Sequence, residues 1–93
     1  MLYHLSIHRP KPEHEAALID SMHRFGRAAS SQSGLREVHT LKDRSSEVLV
    51  GLAIWESEEA LAAARPALAA AVAGDDFDTW EIEETRVFLL EEV

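Results

Sequence analysis

Trp55 is the residue whose type and setting best suggest chemistry. It closes the apolar run Val48 to Trp55, with Gly51 four places and Ala53 two places before it. If that run is a strand, a period of two puts Gly51, Ala53 and Trp55 on one face. Two small residues beside one large aromatic leave an apolar hollow, which suits a flat hydrophobic ligand. Met22 and Phe25, from an earlier helical stretch, would roof the same face. The competing reading makes Trp55 a large core side chain that seals a helix against the sheet.

Polar groups able to serve such a hollow are few. Arg36 could bind a carboxylate or enolate, or be a solvated charge at a strand end. Tyr3 reads as a first-strand residue with its hydroxyl at the rim. The reach of His23 depends on how its helix is rotated. Acid–base chemistry would need a carboxylate or histidine inside the cleft. The chain has five histidines, but their spacing is not that of a metal site. His4 and His8 share a strand face yet lie ~13 Å apart along it. His14 and His23 are nine places apart on a helix, and His39 joins the others only if strands bring it alongside. No metal is expected. No Ser-His-Asp constellation, phosphate loop or dinucleotide fingerprint is expected, and the four glycines are widely spaced. Glu81, Glu83 and Glu84, like Glu91-Glu92, read as solvated strand ends.

The elements that would hold these residues follow from periodicity. Leu2 to His8 alternates, with Tyr3, Leu5 and Ile7 on one side and Leu2, His4, Ser6 and His8 on the other, which predicts a strand. Pro10 and Pro12 end it. Leu18, Met22, Phe25 and Ala29 predict a helix from about Glu13 to Ser30. Ser30 to Gly34 is a polar break, and Leu35 to Lys42 is the second strand. Asp43-Arg44-Ser45-Ser46 is a turn, so the second and third strands form a hairpin. A two-residue loop would set Thr40 opposite Leu49, Val38 opposite Gly51 and Arg36 opposite Ala53. Val48 to Trp55 is the almost unbroken apolar third strand. Ser57 then caps a helix whose first turn carries Glu58 and Glu59. Pro66 should break that helix near Ala64, leaving a second piece to Ala73. Phe77 and Trp80 fall in a connection, and Glu81 to Leu90 is the last strand.

The 93 residues make one domain, 1–93, and a chain this short is marginal unless something adds core. Without cysteine it has neither disulfides nor a thiolate metal staple, which leaves a second subunit as the common solution. The net charge of −8 argues against a nucleic-acid partner and against adhesion to an anionic membrane. The opening MLYHLSIHRP lacks the pattern of a signal peptide, and no apolar run approaches a membrane span. The expectation is a soluble cytoplasmic protein.

The order β-α-β-β-α-β is the ferredoxin-like arrangement, an α+β fold with an antiparallel sheet. Together with Trp55-Glu56-Ser57-Glu58-Glu59-Ala60 at the third-strand exit, it resembles the antibiotic biosynthesis monooxygenase (ABM) domain family. The Gly34-Leu35 opening of the second strand and the prolines at Pro10 and Pro12 also fit. The likeness runs from about Leu2 to Leu90. It implies a dimeric α/β barrel, a homodimer whose sheets face each other, with a cleft for a small hydrophobic ligand in each subunit. It also implies cofactor-independent oxidation of an aromatic or quinol-type substrate, with Trp55 at the cleft. Members of that kind add an asparagine four residues before this tryptophan, a tyrosine six residues after it, and a tyrosine-histidine pair in the preceding strand. Here those places hold Gly51, Leu61 and Thr40-Leu41. Haem-degrading relatives rely on a first-strand asparagine, where this chain has Leu5, and on a helical tryptophan and nearby histidine that Leu61 to Val72 lacks. The differences argue against haem, and no cofactor is expected. The alternative is a non-catalytic dimeric module that binds a ligand or is purely structural.

Overall fold

A computed structural model describes all 93 residues. The elements are β1 (Leu2–His8), a 3-10 turn (Pro12–His14), α1 (Glu15–Ser30), β2 (Leu35–Lys42), β3 (Leu49–Trp55), α2 (Glu58–Ala71), α3 (Phe77–Trp80) and β4 (Arg86–Leu90). The four strands form one antiparallel sheet in the order β2-β3-β1-β4. This is the ferredoxin-like α+β arrangement, with α3 added to the two main helices.

The helices cover one face of the sheet. Trp55, Ala53 and Leu49 point into that layer, all nearly inaccessible. Trp55 and Ala53 pack with Ala29, Leu61, Ala64 and Leu68, while Leu49 packs with Leu18 and Met22. Gly51 lies between these two groups on the same strand face and belongs to neither. The core is therefore interrupted at the middle of β3.

Local chemistry explains the element ends. Ser57 accepts a hydrogen bond from the Ala60 amide at 3.1 Å, capping α2. Gly34 takes φ +90°, and a Cβ there would lie 2.5 Å from that of Ala60, so only glycine fits between α1 and β2.

Three sequence expectations need correction. The hairpin register differs by two residues: Thr40 faces Gly51, Val38 faces Ala53 and Lys42 faces Leu49. The Asp43 amide bonds to the Val48 carbonyl at 2.9 Å, and the Asp43 carboxylate accepts from the Ser46 hydroxyl at 2.6 Å, so the loop is longer than two residues. From Glu37 to Lys42 a shift of two preserves which face each side chain takes, but the ladder bulges between Leu35 and Glu37, so Leu35 and not Arg36 faces Trp55, and Arg36 is not opposite Ala53. The helix does not break at Pro66, because Leu61, Ala64 and Leu68 anchor it on both sides and the Ala62 carbonyl deprived of its partner is on the exposed side. The last strand begins at Arg86 rather than Glu81, which instead forms a single bridge with Pro10.

The other face of the sheet has no helix over it. Cross-strand pairs put Leu5 and Ile7 of β1, Val50, Leu52 and Ile54 of β3, and Phe88 of β4 on this open side. No helix is long and apolar enough to cross a membrane.

Candidate functional site

A cavity of about 290 Å³ opens where the core is interrupted, between the sheet, α1 and α3. Gly51 forms part of its floor. A Cβ at that position would come within 2.7 Å of the Ser6 hydroxyl on β1 and 3.5 Å of the Met22 methyl on α1. The missing side chain is what leaves space for Ser6. Met22, Phe25, Val38 and Phe77 give the cavity apolar walls, and Thr85 and Val87 border it on the side where the helices stop short of β4.

One wall is polar. His4, Ser6 and His8 follow one another at a period of two along β1 and all face the cavity. The His8 ring bridges two partners: Nε2 lies 3.1 Å from the Ser6 hydroxyl, and Nδ1 lies 3.1 Å from Oε2 of Glu81. Glu81 is only 5 % exposed. Its Oε2 also accepts from the Thr85 hydroxyl at 2.6 Å, while its Oε1 is buried without a partner. A carboxylate can only accept, so His8 donates from Nδ1, and in the uncharged ring Nε2 is then the acceptor for Ser6. His4 makes no such bond. Its ring packs against Phe25, with centroids 6.1 Å apart. Burial, and after it the charge of Arg65, keep His4 below the ordinary histidine pKa, so an uncharged ring faces the cavity at neutral pH.

Backbone pairing brings Glu81 to His8. Just beyond β1, the Lys11 amide bonds to the Trp80 carbonyl at 2.8 Å, and the Ile82 amide to the Arg9 carbonyl at 2.7 Å. These two bonds straddle Glu81 and turn it inward. Arg9 pairs outside with Glu47 and Glu83. A second polar cluster, behind α1, is structural: Asp75 accepts from Ser21 at 2.6 Å and from Arg24 at 3.0 Å. Burial raises the Asp75 carboxyl, but these two donors outweigh it and hold the carboxyl below its ordinary range.

The residues singled out in the sequence divide. Gly51, Ala53 and Thr40 line the cavity, with Met22 and Phe25 over them. Trp55 shares their strand face but is fully buried in the core beside Leu61, its indole N–H without a partner, so neither residue reaches the cavity. Tyr3 points to the open face. Its hydroxyl donates to Glu92 at 2.8 Å, and that bond is the main reason its pKa is raised. Arg36 is half exposed and faces Glu56 at 3.6 Å. His23 and His39 are exposed, and His39 pairs with Glu37. No three histidine, aspartate or glutamate side chains are grouped as metal ligands.

The Ser6–His8–Glu81 relay corrects two sequence expectations, the missing serine–histidine–carboxylate constellation and the solvated Glu81. Ser6 and His8 sharing one strand face was the visible half of the signal. The carboxylate 73 residues after His8 was not visible.

No protein-family model matches the sequence. No curated protein matches it either. Solved structures do match over nearly the whole chain. The structure of Rv0793 from Mycobacterium tuberculosis superposes with a TM-score of 0.86 at 17 % identity, covering 99 % of this chain and 94 % of that one. An antibiotic biosynthesis monooxygenase superposes at 0.82 with 14 % identity, covering 100 % and 99 %. A candidate antibiotic biosynthesis monooxygenase from Nitrosomonas europaea superposes at 0.80 with 12 % identity, covering 100 % and 99 %. At such identities the likeness establishes the fold: this chain has the ferredoxin-like α+β fold of the antibiotic biosynthesis monooxygenase structures.

Proposed function

We propose that the protein binds a small hydrophobic molecule of aromatic or quinol type in the cavity beside Gly51 and oxidises it with dioxygen, without a cofactor. The observation that carries this reading is an imidazole, His8, held by a buried carboxylate and facing the apolar side chains of Met22, Phe25, Val38 and Phe77 across the cavity. The names of the structural neighbours support it.

His8 Nε2 takes a proton from an acidic C–H flanked by aromatic rings, or from the hydroxyl of a hydroquinone. Glu81 keeps Nδ1 protonated and stabilises the imidazolium that forms. The substrate anion passes an electron to dioxygen, and the resulting pair combines as a peroxide on carbon. The peroxide anion takes the proton back from His8, and loss of water from the hydroperoxide leaves a carbonyl. One oxygen atom ends in the product and one in water, so a methylene supplies all four electrons. Apolar walls favour the step by excluding solvent from the anion.

The same reading includes a second copy of the chain. Only 13 of 93 residues are buried in the single chain, and the apolar face carrying Leu5, Leu52 and Phe88 has no cover of its own.

The test is oxygen uptake with a panel of hydroquinones and anthrone-type compounds, preceded by native mass spectrometry of the purified protein. His8→Ala should lower uptake by at least ~100-fold, the usual contribution of a positioned base. Uptake unchanged in His8→Ala would refute the role of His8, and no binding by any of these compounds would refute the substrate class.

A further inference from the structure

The hydroxyl of Ser6 forms no bond to the substrate in the oxidation described above and must give up its hydrogen bond to His8 Nε2 when that nitrogen takes the substrate proton, yet its setting is specific. It lies 3.1 Å from His8 Nε2, on the cavity side, and Gly51 across the ladder leaves it unobstructed. His8 is in turn oriented by the buried Glu81, and Glu81 by Thr85. Hydroxyl, imidazole and carboxylate are thus linked in the order that activates a serine nucleophile. His4 lies two residues before Ser6 on the same face, about 7 Å away along the strand by the strand rise. It makes no hydrogen bond within the protein, so a ring N–H is free to meet negative charge developing on a group attached to Ser6.

We propose that Ser6 is the nucleophile of an acyl-transfer site that hydrolyses small hydrophobic esters, with His8 as the base, Glu81 as its positioning residue and His4 as the oxyanion donor. The Ser6 oxygen forms a bond to the ester carbonyl carbon while its proton moves to His8 Nε2. The carbonyl electrons shift onto oxygen, facing His4. Their return breaks the bond to the leaving alcohol, which takes the proton from His8. The acyl-Ser6 ester is then attacked by water, whose proton passes to His8 and back to the Ser6 oxygen as a carboxylic acid departs. The net reaction is ester plus water to acid plus alcohol, with no redox partner.

The activity shares His8 with the oxidation but needs Ser6, and the two can fail independently because oxygen uptake does not read ester cleavage. The probes are p-nitrophenyl butyrate for turnover and an alkyl fluorophosphonate for trapping. One phosphonyl adduct per chain should appear by intact mass and map to Ser6. Ser6→Ala should abolish the adduct and lower hydrolysis at least ~100-fold, and Glu81→Gln should lower it ~10-fold or more. An adduct elsewhere in the chain, or hydrolysis by Ser6→Ala equal to wild type, would overturn the proposal. Ser6→Cys gives a readout that does not depend on ester turnover, because the natural chain has no cysteine and this would be its sole thiol. Its alkylation by iodoacetamide should titrate below the ordinary thiol pKa of about 8.5 and return towards it in Ser6→Cys/His8→Gln. The same midpoint in both variants would also overturn it.

Discussion

Replacing Gly51 with alanine tests the closest contact in the site. The new Cβ would stand 2.7 Å from the Ser6 hydroxyl oxygen, about 0.7 Å inside ordinary contact, and 3.5 Å from Met22, which is acceptable. Strand backbone on both sides is fixed by the ladder, so the hydroxyl is the part that must move. Rotating it away breaks the 3.1 Å bond to His8, a loss of about 1 kcal/mol, with His8 Nε2 left short of a partner. Against this, alanine in a strand interior gains roughly 0.5–1 kcal/mol over glycine. Gly51→Ala should therefore cost from nothing to about 1 kcal/mol in wild type. In a Ser6→Ala background the collision is gone, and the same change should stabilise by roughly 0.5–1 kcal/mol. The difference is a coupling of about 1–2 kcal/mol between positions 6 and 51. Urea unfolding of the four variants at one protomer concentration measures it. Additivity within about 0.3–0.5 kcal/mol would refute the account of Gly51 as the space that Ser6 requires.

Two further outcomes are expected. Light scattering at micromolar concentration should give about twice the chain mass of 10.4 kDa, and Leu52→Lys on the open face should yield monomer, whereas a monomeric wild type would end the two-sheet reading. His4 should titrate below its ordinary 6.5, as burial first and Arg65 second disfavour its charged form. Its contribution to stability is then complete above about pH 6.5 and is lost as pH falls through the folded value. Histidine NMR should place the midpoint there and His4→Phe should remove that part of the pH dependence, while a midpoint at or above 6.5 would contradict it.

Elements whose cause is local were legible in the sequence. Ser57 before Glu58 and Glu59 marks the start of α2, and the alternation from Leu2 to His8 marks β1 with the correct sidedness. Gly51 and Ala53 were recognisable as the floor of a hollow, because period two requires only that β3 be a strand. Trp55 misled for a physical reason: a large aromatic beside small residues either lines a space or fills one, and Leu61, Ala64 and Leu68 were needed to decide. Glu81 was illegible because its inward turn depends on hydrogen bonds with the chain just after β1. The hairpin register failed at the turn, where side-chain bonds from Asp43 lengthened the loop. Pro66 failed as a helix breaker because tertiary contacts on both sides outweighed one lost backbone bond.

Ser6 and His8 sit on the strand that is bonded on both edges, to β3 and to β4, so they separate only when the sheet itself comes apart. Glu81 is clasped from outside by two backbone bonds, from the amides of Lys11 and Ile82, which together make the single bridge to Pro10. The relay therefore spans two units of unequal opening free energy. Opening of residues 80–82 alone would detach the carboxylate and free the imidazole to change tautomer with every strand still paired. Amide exchange should therefore be faster at Ile82 than at Ser6, and equal protection at the two positions would show that the clasp opens only with the sheet.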